Sequence, residues 1–144
     1  MSTTVAYIKA PPDRVFDVLE DAQTYAYWVV GCKEIRAVDP TWPAEGSAFH
    51  HTVGVGPVFT KDKTKVLRID APRRLELQAR AWPVGQAHVA LTVTGAGAGS
   101  RVEMVEEPTS GPAKWLHNPL LDAATHARNT VALRRLARLA EERT

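Results

Sequence analysis

The sequence holds a single cysteine, Cys32. One cysteine cannot close an intrachain disulfide, which excludes a disulfide-built secreted scaffold and fits a reducing, cytoplasmic location. Long apolar runs are also missing: no stretch approaches the ~20 residues of a membrane span, so stable membrane insertion is not expected. The start, Met1-Ser-Thr-Thr-Val, lacks the basic stretch and apolar core of a signal peptide. Neither sign of charge dominates. Lys and Arg total 18 against 16 Asp and Glu, a net charge of +2, too small an excess for a dedicated nucleic-acid binder. There is no CxxC, HExxH, GxxxxGKS/T or GxGxxG motif. His50 and His51 are adjacent and would point to opposite faces of a strand, while His88, His117 and His126 are scattered. Neither a metal nor a cofactor is expected.

The remaining composition is that of an ordinary globular chain. In 144 residues, 44% are hydrophobic and 24% charged, enough for one sizeable core and one domain over 1–144. The glycine-rich run from Gly95 to Ser100 lies between two strand-like segments, so it reads as a hairpin loop. A phosphate cradle would instead open a helix.

Residues 3–10 read as a first strand, rich in β-branched and aromatic types. Val15, Phe16, Val18 and Leu19 then recur at helical spacing after a proline pair, which predicts a helix over 12–20. A second short helix over 21–30 carries Tyr25, Tyr27 and Trp28 and is closed by Gly31. Six strands follow: 33–38, 48–53, 58–69, 75–81, one through Val89, Leu91 and Val93, and 101–107. Turn residues separate them, as in an antiparallel meander. Residues 108–112 read as a loop, and 119–143 as one long helix with Pro119 in its first turn. The class is α+β. A sheet with one polar face can bury the other only against that last helix, and a curved sheet gripping one helix leaves a cavity between them.

Alternation decides which residues would face such a cavity. Lys61, Lys63 and Lys65 share one parity of their strand and should face water. Val58, Thr60, Asp62, Thr64 and Val66 then face inward. A hairpin around Val55 sets Phe49, His51 and Val53 against this row, with His51 across from Thr60 and diagonal to Asp62. Leu75, Leu77, Ala79, Ala81, Val89, Leu91, Val93, Val102, Met104 and Glu106 also point inward. His51, Asp62 and Glu106 would each be costly in an apolar core without a partner. The alternative is that they are solvated at the sheet's rims, since a one-residue slip inverts every assignment. On the long helix, Leu121, Thr125, Asn129, Ala132, Leu133, Leu136 and Ala140 form one stripe; Leu120, Ala124, Ala127 and Val131 offer a competing buried face. Arg128 borders the first stripe. Trp28 is either core packing or a surface for ligand stacking. Cys32 reads as a small buried residue.

Four segments, in this order, carry a family resemblance. They are Ile8-Lys-Ala-Pro-Pro-Asp-Arg-Val-Phe-Asp-Val-Leu19, Tyr25-Ala-Tyr-Trp-Val-Val-Gly31, Ile69-Asp-Ala-Pro-Arg-Arg-Leu-Glu-Leu77 and Arg128-Asn-Thr-Val-Ala-Leu-Arg-Arg-Leu136. Together they resemble the START and Bet v 1-like superfamily, and more closely its polyketide cyclase/dehydrase and lipid-transport (SRPBCC) group. The resemblance implies a helix-grip fold: a seven-stranded antiparallel sheet wrapped around a long C-terminal helix, with two short helices between strands 1 and 2. It also implies one of several activities, from lipid carriage to aromatic polyketide cyclisation.

Three functional readings follow. The first is binding of a hydrophobic small molecule, lipid-like or aromatic, by Trp28, His51, Asp62, Leu77, Ala79, Leu91, Met104, Leu121, Thr125 and Asn129. The second is a cyclase/dehydrase, with His51 and Asp62 as the catalytic acid–base candidates and Arg128 or Asn129 as donor to an enolate oxygen. In the cyclases that the sequence resembles, a pocket arginine on the strands assists; the parity argument places no strand arginine inward here. The third is an interaction protein that forms a homodimer through its convex sheet face or its helix.

Overall fold

The computed structural model describes residues 2–55, 57–81, 85–111 and 119–143. Its elements are β1 (Ser2–Ile8), α1 (Pro12–Glu20), a single 3-10 turn (Ala22–Thr24), α2 (Tyr25–Trp28), β2 (Cys32–Val38), β3 (Ala48–Val55), β4 (Val58–Asp70), β5 (Arg74–Ala81), β6 (Gly85–Ala96), β7 (Gly99–Ser110) and α3 (Pro119–Glu142). The strands form one antiparallel sheet in the order β1-β7-β6-β5-β4-β3-β2. The helix-grip architecture is as expected, with two short helices between the first two strands.

Local chemistry explains the element boundaries. Pro12 sits in the first turn of α1, where its missing N–H is no loss. The helix buries Val15, Phe16, Val18 and Leu19 and ends at Asp21. The Asp21 carboxylate accepts the Gln23 N–H at 3.2 Å and so caps the 3-10 turn that follows. After α2 the chain reverses through Gly31 at φ +94°, a conformation that favours glycine. The Gly31 carbonyl accepts the Gly54 N–H at 2.9 Å, fastening this reversal to β3.

The last strand is longer than expected. Residues 108–110 of the expected loop belong to β7, where Pro108 pairs with Ala87 and Ser110 with Gln86. The ladder shifts register between Gln86 and Ala87, and such an irregularity accommodates a proline that has no N–H to donate. The approach is close: a Cβ on Gly85 would stand 2.0 Å from the Ser110 carbonyl oxygen. At the opposite end, the glycine-rich run is a hairpin whose last pair is Ala96 with Gly99.

The register between β3 and β4 departs from expectation by two residues. The closing pair is Val55 with Val58, which sets His51 opposite Asp62 rather than Thr60. A two-residue change leaves parity intact. Lys61, Lys63 and Lys65 are therefore exposed, Thr64 and Val66 are buried, and Thr60 and Asp62 are half-buried.

The inner face of the sheet packs on the helices. Leu75, Leu91 and Val102 meet Phe16, Leu19, Leu133 and Leu136 in one core. Of the two candidate faces of α3, the first is the buried one: Asn129, Ala132, Leu133, Leu136 and Ala140 are covered. Leu120 is 80% exposed, and Ala124, Ala127 and Val131 also face solvent. The burial is graded along the helix. The second half is locked in the core, whereas Leu121 remains 41% exposed near its start. Of the four tryptophans, Trp82 and Trp115 lie outside the described residues, as does His117. Among the described residues no helix is long and apolar enough to cross a membrane.

Candidate functional site

Because only the second half of α3 is sunk in the core, a space of about 410 Å3 opens between its first half and the sheet. That volume falls within the ~300–1,000 Å3 usual for small-molecule pockets. One side is α2 and the residues after it, with Tyr25, Trp28, Val29, Val30 and Cys32. The floor is the sheet, from Phe49, His51, Val53 and Thr64 through Leu77, Ala79 and Val89 to Met104 and Glu106. The roof is α3, with Leu121, Thr125, Arg128, Asn129 and Ala132.

Eight residues singled out from the sequence lie on this wall: Trp28, His51, Leu77, Ala79, Met104, Leu121, Thr125 and Asn129. Two others are elsewhere. Leu91 is wholly inside the core and does not reach the space. Asp62 lies nearer the β3–β4 tip, outside the wall. Its mostly buried carboxylate pairs with the Arg80 Nε at 3.5 Å and accepts the Lys63 N–H at 2.9 Å.

Arg80 itself was not anticipated. Alternation assigns it to the outer face with Glu76 and Gln78, yet it forms part of the wall. It stands near the end of β5, where its long side chain reaches the Asp62 carboxylate. The signal available in the sequence was Asp62: a carboxylate on an inner face requires a counter-charge. Cys32, expected to be buried, is half-exposed on the wall. Burial still pushes its thiol up to about 11.

Aromatic rings line one side. Tyr25 packs on Trp28 with ring centroids 4.7 Å apart and on Phe49 at 4.7 Å, and Phe49 lies 5.5 Å from the His51 ring. Trp42 backs Phe49 at 5.2 Å and donates its Nε1–H to the Glu20 carbonyl at 2.7 Å. The Tyr25 hydroxyl donates to the Leu19 carbonyl at 2.7 Å. Burial, assisted by nearby Glu20, pushes that phenol well above its ordinary value, so it stays protonated.

His51 Nε2 lies 2.9 Å from the Thr64 hydroxyl. Burial holds its imidazole below the ordinary 6.5, outweighing the Asp62 carboxylate and the Lys63 carbonyl, which favour the cation. Arg36 and His50 add to the lowering. The ring is therefore neutral at neutral pH. The Trp28 Nε1 has no hydrogen-bond partner among the described residues. On the roof, Arg128 forms an ion pair with Glu106, and Asn129 Nδ2 donates to the other Glu106 oxygen at 3.4 Å. Among the described residues, no three of His, Cys, Asp and Glu come together to hold a metal ion.

Known proteins bear on this arrangement. Nothing among curated proteins matches the sequence. Many solved structures share its fold. Protein CV1439 from Chromobacterium violaceum is 19% identical, with a TM-score of 0.72 over 98% of this chain and 97% of that one. CalU16 from Micromonospora echinospora is 20% identical, with a TM-score of 0.64 over 96% and 74%. Ara h 8.0201 is 11% identical, with a TM-score of 0.73 over 98% and 97%. At such identities the likeness is one of fold, and fold does not fix function. The sequence itself, over residues 2–141, matches the family described as polyketide cyclase/dehydrase and lipid transport. The chain, with its sheet closed on one long C-terminal helix, belongs to that family.

Proposed function

We propose that the protein is a cytoplasmic carrier that binds a hydrophobic small molecule in the space between the sheet and the first half of α3. The observation that carries this reading is the wall: a cleft of about 410 Å3 with Trp28, Val29, Val30, Phe49, Leu77, Val89 and Met104 on its surface. Apolar lining supplies affinity, and a few polar groups such as His51 and Asn129 orient the ligand. The family accommodates both binding and cyclase-type chemistry.

The cyclase reading has one specific observation in its favour. Arg80 brings a strand guanidinium to the same wall as a neutral His51, so a base and an oxyanion donor are both within the site. Two features weigh against it. Arg80 already holds the Asp62 carboxylate, and the hydrogen bond of His51 goes to Thr64 rather than to a carboxylate that would orient it as a base. An open cleft of this size also weighs against a purely structural interaction protein.

Native mass spectrometry of protein purified from its own host tests the carrier reading. A co-purified small molecule, released on denaturation, is expected. A turnover assay with a poly-β-ketone separates the readings: activity that vanishes in His51→Ala while binding persists would overturn the carrier in favour of the cyclase.

A further inference from the structure

The cations on the wall are already neutralised. Arg128 is paired with Glu106, and Arg80 with Asp62. Among the described residues on the wall, no arginine or lysine is left without a carboxylate, while Asp122 adds a further negative charge at the roof. An anionic headgroup entering here would be desolvated without a free counter-charge, which is strongly unfavourable.

The aromatic side presents the opposite situation. Trp28 and His51 are 2% and 6% exposed, and both lie on the wall. Trp28 holds a buried nitrogen with no partner among the described residues, Nε1, whereas the His51 ring meets Thr64 and the Lys63 carbonyl. Buried donors left unsatisfied are rare in folded proteins and call for an explanation such as a bound group. The indole N–H is purely a donor, so its partner must supply an acceptor.

We infer that the site selects an uncharged ligand carrying an acceptor oxygen that takes the Trp28 Nε1–H. This rests on the ligand-binding reading above and adds the ligand's charge state and its polar anchor. Carboxylate and phosphate lipids are disfavoured; neutral alcohols, phenols and ketones on an apolar body fit.

Three probes of one size and different polarity test it: naphthalene, 2-naphthol and 2-naphthoate, titrated at pH 7.5 by calorimetry. The wild type should bind 2-naphthol about tenfold more tightly than naphthalene, the increment of one good hydrogen bond. It should bind 2-naphthoate at least tenfold more weakly than 2-naphthol. Trp28→Phe keeps an aromatic ring and removes the donor, so it should erase the advantage of 2-naphthol over naphthalene. Glu106→Gln frees Arg128 and should raise the affinity for 2-naphthoate relative to that for naphthalene. If 2-naphthoate binds the wild type as tightly as 2-naphthol does, the inference is overturned and the carrier reading stands. If none of the three binds, both fall. The wild-type ranking decides the matter even where a variant does not fold.

Discussion

His51 and Asp62 face each other directly across the β3–β4 ladder, yet their side chains engage different partners: Thr64 for the imidazole, Arg80 for the carboxylate. The expected acid–base dyad is thus two separate polar contacts, one on the wall of the cleft and one beside it.

The buried imidazole makes stability depend on pH. His51 titrates below 6.5 when folded, and at the ordinary 6.5 when unfolded. As pH falls through 6.5, the unfolded chain therefore takes up more protons and stability drops. Glu76, whose carboxyl is held below 4.5 by Arg74, with a smaller contribution from His88, adds its own loss only further down. Urea unfolding at pH 8, 6 and 5 should show the decline, and His51→Gln should flatten its upper part. An unchanged profile in His51→Gln would show that the ring protonates as freely folded as unfolded.

Cys32 provides a second titration. With its thiol pushed up to about 11, it holds little thiolate at neutral pH. Iodoacetamide should alkylate the native protein slowly at pH 7.5 and much faster as pH approaches that value, followed by intact mass. Since Cys32 lies on the wall, a bound probe such as 2-naphthol should slow the reaction further. Rapid labelling at pH 7.5 would contradict the environment described.

Filling the cleft should abolish binding. Ala79 lies on the floor of the space, and Ala79→Trp adds a side chain large enough to occupy much of it. Overpacking typically costs ~1–3 kcal/mol, which thermal unfolding will read beside 2-naphthol affinity. A folded Ala79→Trp protein that still binds with wild-type affinity would place the ligand elsewhere.

The two faces of α3 can be told apart by truncation. Leu133 is fully buried, and Leu133→Ala should cost ~2–5 kcal/mol. Leu120, 80% exposed, should lose no more than ~0.5 kcal/mol on the same change. Similar losses at both positions in denaturant unfolding would invalidate the packing of the helix.

Much of the architecture was legible because alternation and helical periodicity are local signals. Three consecutive lysines at alternate positions fixed the outer face of β4, and α1 carries its apolar stripe between a proline start and an aspartate stop. What was not legible depends on pairing between distant segments. The β3–β4 register turns on where the hairpin closes, and the end of β7 depends on Gly85 beginning β6 beside it. Arg80 belongs to the same class: parity describes where a Cβ points, and a side chain of that length near a strand end goes where its counter-ion is. Leu91 has the right parity but the wrong depth, because alternation sorts faces and says nothing of distance along the sheet from the cleft.

The gradient of burial along α3 has a kinetic side. Backbone amides from Ala132 to Ala140 are held by the core and should exchange with solvent near the rate of global unfolding. Those between Ala123 and Arg128 have little apolar packing above them, since every residue there is exposed except half-buried Thr125. The roof is thus the least protected stretch of the helix. A guest in the cleft would pack against that stretch and should slow its exchange, while the amides from Ala132 to Ala140 keep the rate set by the core.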